Sequence, residues 1–145
     1  MTEYYGLAVA AMRATLEQVL TDQAFGAMIA LAGRLADGLQ ATIDRHQLSW
    51  SLSRLGARSE YRFTSPPPLN GGESNAAGDT DLEDYLHVYL VNRGVLMTPF
   101  HNMSLVCPAT SESDVQRHLD EIDGCLTELL SSQPAGAHRD DATVP

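Results

Sequence analysis

Apolar residues recur at spacings of three and four through Val9, Met12, Leu16, Val19 and Leu20, which predicts a helix over residues 5–20. Thr21 and Asp22 then offer an N-cap. Phe25, Met28, Ala32, Leu35, Leu39 and Ile43 form the apolar stripe of a second helix over 23–46, with Arg34, Asp37 and Asp44 on its other face. Gly26, Gly33 and Gly38 each lower helix propensity by up to ~1 kcal/mol relative to alanine. Close packing against a neighbour would account for them. The period then changes from helical to alternating. Residues 50–55 and 57–64 read as two short strands punctuated by Gly56. In the second, Arg58, Glu60 and Arg62 share one face, while Ala57, Ser59, Tyr61 and Phe63 share the other.

Residues 65–79 contain three prolines and an Asn-Gly-Gly turn signal, so they read as a loop without a regular element. Thr80 and Glu83 have the spacing of a capping box and open a helix over 80–93, with Leu82, Tyr85, Leu86, Tyr89 and Leu90 on one face. Gly94 suits the left-handed residue that ends a helix. Residues 95–97 and 103–107 read as short strands around a turn at Phe100, His101 and Asn102. Thr110 and Ser111 cap a last helix over 112–131, whose stripe is Val115, Leu119, Ile122, Leu126 and Leu129. Residues 132–145 are polar and expected to be disordered. The order α-α-β-β-α-β-β-α predicts an α+β layer: a small, mostly antiparallel sheet of three to four strands with helices packed on one face.

The length of 145 residues suits one modest core. No apolar run approaches the roughly 20 residues that span a bilayer. The first residues lack the basic stretch of a secretory leader, so a cytoplasmic protein is expected. The net charge is −10 and no basic cluster occurs, which argues against nucleic-acid and anionic-membrane partners. All nine basic residues are arginine. A chain without lysine cannot form an internal aldimine with pyridoxal phosphate, nor complete a P-loop. Cys107 and Cys125 read as free thiols.

None of the five histidines has zinc-site spacing, and no metal is expected. His87 and His118 lie beside apolar helix stripes and read as structural. His46 ends the second helix, where a cation favours the dipole. His101 differs, because its turn is held between two buried strands. It reads either as a functional side chain or as a turn residue with local hydrogen bonds. Arg58, Glu60 and Arg62 read either as an arginine fork for a carboxylate or as an ion-pair ladder. No nucleophile elbow or catalytic triad can be assigned.

Five segments in order resemble the C-terminal segment of class III pyridoxal-phosphate aminotransferases, in the branch of glutamate-semialdehyde aminomutase. They are Gly6-Leu-Ala-Val-Ala-Ala-Met-Arg-Ala-Thr-Leu-Glu17, Leu35-Ala-Asp-Gly-Leu39, Leu55-Gly-Ala-Arg-Ser-Glu-Tyr-Arg-Phe63, Asn92-Arg-Gly-Val-Leu-Met-Thr-Pro99 and Pro108-Ala-Thr-Ser-Glu-Ser-Asp-Val115. Tyr5 and Gly6 stand where the family usually has Asn-Pro. The resemblance implies the small domain of fold-type I enzymes over 23–131, with residues 1–22 a helix leading to a large domain. In the family that large domain supplies the Schiff-base lysine and most cofactor contacts. This chain alone is therefore expected to bind no pyridoxal phosphate and to be inactive, with no catalytic or cofactor residue of its own. By the same resemblance Arg62, Thr98, Phe100, His101 and Asn102 face the substrate. Two other readings stand beside this one. The chain is a complementing subunit for a separate large-domain chain, or a non-catalytic module that self-associates through the apolar face of residues 5–20.

Overall fold

The structure is a computed structural model, and it describes residues 2–98 and 101–132. Helix α1 (Thr2–Ala14) runs into a π-helical turn (Thr15–Val19), then α2 (Asp22–Arg45), strands β1 (Ser51–Leu55) and β2 (Arg58–Arg62), helices α3 (Gly71–Ala76) and α4 (Thr80–Val91), strand β3 (Met103–Leu105) and helix α5 (Glu112–Ser132). The sheet is fully antiparallel in the order β1-β2-β3. The fold is α+β with a three-stranded sheet, as the alternation of periods predicts.

The core lies between the sheet and the long helices. Met28, Ala32, Leu35, Leu39 and Ile43 of α2 are buried, whereas Phe25 at the same spacing is 44% exposed. On the sheet, Tyr61 is 1% exposed and stacks on Trp50 at 5.4 Å between centroids. Gly38 allows α5 to approach α2, because a β-carbon there would meet the Leu119 side chain, with Cδ2 at 2.7 Å. Gly33 faces Arg54 Nη1 at 2.9 Å from the same construction, and Gly26 faces open space. Polar ties reinforce the helix packing. Asp123 of α5 meets Arg45 at 2.6 Å and His46 Nε2 at 2.8 Å. Arg93 lies 3.5 Å from the centre of the Tyr89 ring, and the Tyr89 hydroxyl donates to Glu128 at 2.8 Å.

Several local expectations are corrected. Residues 65–79 are not all loop, since α3 forms within them. Asn70 accepts from the Glu73 amide at 3.0 Å, and Glu73 accepts from the Leu69 amide at 2.7 Å. That reciprocal pairing is a helix start in a Gly-Gly context. Helix α4 is capped by Asp79, which accepts from the Leu82 amide at 3.1 Å, and Thr80 is its first helical residue. Residues 95–97 join no ladder, so the strand expected there does not form. The first helix ends in a wider turn, closed by the Leu20 amide on the Thr15 carbonyl at 2.9 Å. Thr15 also bonds its hydroxyl back to the Ala11 carbonyl at 2.9 Å, which competes with the regular ladder. Gly94 has φ +82 after α4, the conformation expected of it.

Helix α1 makes no substantial contact with any element beyond its own π turn. Leu7, Val9, Met12 and Leu16 are between 59% and 73% exposed. No helix among the described residues is long and apolar enough to cross a membrane.

Candidate functional site

The Leu55-Gly56-Ala57-Arg58 hairpin sets the register in which Arg62 pairs with Ser51 and Glu60 with Ser53 and Met103. The alternation places Arg58, Glu60 and Arg62 on the sheet face that α2 does not cover. Glu60 is the centre of that face and its side chain is 11% exposed, with Arg62 at 2.8 Å and Arg58 at 3.8 Å. The row is an ion-pair ladder built around a covered carboxylate. His101 Nδ1 stands 4.0 Å from Glu60 Oε1 and joins the end of the row.

Two adjoining cavities open beside this ladder. One, of about 430 Å³, is lined by Thr98, His101 and Asn102 together with Tyr61, Glu83 and His87. The other, of about 510 Å³, reaches Arg62 and the α3 region. Both include Thr80, Glu83 and His101, so they form one cleft. Asn102 is 5% exposed and is fixed from two sides. Its carbonyl accepts from the Tyr61 amide at 3.3 Å, and its side-chain amide donates to Glu83 at 3.4 Å. The Tyr61 hydroxyl is pushed above its ordinary pKa by burial and stays protonated.

Four of the five residues selected from the sequence therefore surround one cleft. Phe100, like Pro99, lies outside the described residues. The wall contributed by α4 was missed: Thr80, Glu83, Asp84 and His87. Their spacing of i, i+3, i+4 and i+7 is a polar helical face, and that was the available signal. In sequence Glu83 reads as a capping residue and His87 as structural. Among the described residues no group of three or more metal-ligating side chains occurs.

The cleft offers an arginine already engaged by Glu60, two imidazoles, an amide and two α4 carboxylates. The residues present do not fit pyridoxal phosphate by themselves. No lysine exists to hold it, and Glu83 and Asp84 would oppose its phosphate.

Among solved structures, a β-phenylalanine aminotransferase from Variovorax paradoxus matches with a TM-score of 0.72, 20% identity, 83% of this chain and 28% of that one. A glutamate-1-semialdehyde aminomutase from Pseudomonas aeruginosa PAO1, solved in complex with PMP, matches with a TM-score of 0.81 and 49% identity, over 83% of this chain and 26% of that one. In fold and sequence the chain is similar to part of the pyridoxal-phosphate-dependent class III aminotransferases, consistent with a C-terminal fragment of such an enzyme. In sequence the chain sides with the glutamate-1-semialdehyde aminomutases. Glutamate-1-semialdehyde 2,1-aminomutase 2 of Geobacillus kaustophilus (strain HTA426) is 29% identical over 113 residues, 76% of this chain and 25% of the relative. The chain spans about a quarter of the length of these relatives. No family model matches it.

Proposed function

We propose that this chain is the substrate-closing small domain of an aminomutase-type enzyme, inactive until a large domain supplies the lysine and the cofactor site. The observation that carries the reading is the cleft itself. Arg62, Thr98, His101 and Asn102 line it together. Helix α1, for its part, makes no substantial contact beyond its own π turn. Residues 1–22 then form the joint to that large domain, whether it lies on the same polypeptide or on another.

In this role the chain binds and orients but does not make the covalent bond to the amine. Arg62 offers a guanidinium to a substrate carboxylate, and Glu60 holds it in place. Asn102 supplies an amide fixed by Glu83. His101, whose side chain is 55% exposed, is free to turn toward a bound molecule.

Mixing the full chain with the large-domain part of the Pseudomonas aeruginosa aminomutase tests the reading. Amino transfer is expected in the mixture and in neither part alone. Arg62→Ala and His101→Ala are each expected to lower it at least tenfold, about 1.4 kcal/mol. The chain alone, given pyridoxal phosphate, is expected to show no aldimine absorbance. A borohydride-fixed label on this chain would overturn the proposal.

The exposed stripe of α1 favours a second reading, a non-catalytic module that self-associates. Under it, polar substitution of Val9, Met12 and Leu16 abolishes oligomers seen by sedimentation, and the mixture stays inactive.

A further inference from the structure

Residues 97–98 also line a second cavity of about 300 Å³, bounded by β3, the segment 94–98 and the first turns of α5. That volume is at the lower end for small-molecule sites. Much of its wall is apolar, with Leu35, Val95, Met97, Val106 and Val115.

Two buried polar side chains interrupt that wall. Ser104 and His118 are each 8% exposed, and neither the Ser104 hydroxyl nor His118 Nε2 has a hydrogen-bond partner. Ser104 pairs in register with Ser59, whose hydroxyl is also unpartnered. Buried polar groups without partners are rare in folded proteins, and one from the sheet and one from α5 lining the same cavity mark a place where a polar group belongs. Burial pushes the His118 pKa down to about 4, so the imidazole is neutral near pH 7. A neutral imidazole and a hydroxyl suit an uncharged hydrogen-bonding group and reject a second buried charge.

The rim has the opposite character. Arg117 lines it, and its guanidinium has no ion pair among the described residues. The carboxylate of Asp114, on the same rim, is held by the Ser111 amide at 2.8 Å and hydroxyl at 2.7 Å. We propose that this cavity binds a small carboxylic acid with an apolar body and a hydroxyl at its far end. The carboxylate pairs with Arg117, the body lies along Val95 and Val115, and the hydroxyl meets Ser104 and His118. The site is separate from the candidate substrate cleft, but Met97 and Thr98 line both.

NMR titration of the full chain with 4-hydroxyphenylacetate tests this. Saturable shifts are expected at the His118 ring and the Thr98 amide. Phenylacetate, lacking the hydroxyl, and 4-methylphenol, lacking the carboxylate, are each expected to bind at least tenfold more weakly. Ser104→Ala and Arg117→Ala are expected to weaken 4-hydroxyphenylacetate about tenfold while the rest of the spectrum is retained, about 1.4 kcal/mol in binding. The proposal is overturned if no saturable His118 shift appears up to about 10 mM, a concentration that would reveal even millimolar binding. Equal affinity for all three compounds, or unchanged affinity in both variants, also overturns it.

Discussion

Glu60 Oε1 and Arg62 Nη2 are 2.8 Å apart on one face of β2, and the carboxylate is the more covered of the two. The pair therefore acts through its acid. Glu60→Gln leaves Arg58 and Arg62 facing a neutral amide. Both arginines retain partial solvent contact, so the loss is expected to be about 1–2 kcal/mol rather than the larger figure for a fully buried pair. Urea unfolding at low and high salt measures it, and most of the loss should persist in salt.

His118 makes stability depend on pH. Its folded pKa is about 4 because burial disfavours the charged ring, against 6.5 as the ordinary value. Between those values the unfolded chain binds more protons than the folded one, so stability rises with pH across that window. The contribution is complete above pH 6.5 and is lost as pH falls toward 4. Its size is about 3 kcal/mol. His118→Leu is expected to flatten that part of the curve, read from urea midpoints at pH 7 and pH 4.5.

Two glycines of α2 should respond oppositely to alanine. Gly26 faces open space, so Gly26→Ala is expected to stabilise the protein by about 0.5–1 kcal/mol through helix propensity. At Gly38 the new methyl meets Leu119, and overpacking outweighs propensity. A net loss of about 1 kcal/mol is expected there, measured as a lower thermal midpoint.

The two cysteines differ in reactivity. Cys107 is exposed, and the Thr110 hydroxyl 3.4 Å from its sulfur favours the thiolate and lowers its pKa. Cys125 is buried, and burial pushes its thiol up to about 11. Iodoacetamide is expected to modify Cys107 in the folded chain and Cys125 only after unfolding. Thr110→Val should slow the first reaction, as followed by mass spectrometry across pH 6–9.

Periodicity made α2, α4, α5 and the β1–β2 hairpin legible, because each repeats its pattern over several residues. What it missed had local causes. Asn70 and Glu73 start a helix by reciprocal side-chain bonds, a signal concealed by the adjacent prolines and glycines. Residues 95–97 are apolar enough for a strand, yet no strand pairs with them, and the Val95 amide instead closes back on the Leu90 carbonyl at 3.0 Å. His118 sat beside an apolar stripe in the sequence, but its burial and unpartnered nitrogen depend on where β3 packs. The cleft was half legible. The turn at His101 stood out, whereas Thr80, Glu83, Asp84 and His87 require the helical projection of α4 to be set against that turn.

Helix α1 is 13 residues long and has no substantial contact beyond the π turn that follows it. Isolated helices of that length are marginal in water. Amide protons before residue 20 should therefore exchange far faster than those of α2, and a protease should cut there first without melting the sheet. Whatever covers this helix must supply its folding free energy along with its own contacts. The strength of that joint can consequently be tuned by substitutions in α1 alone, leaving the core untouched.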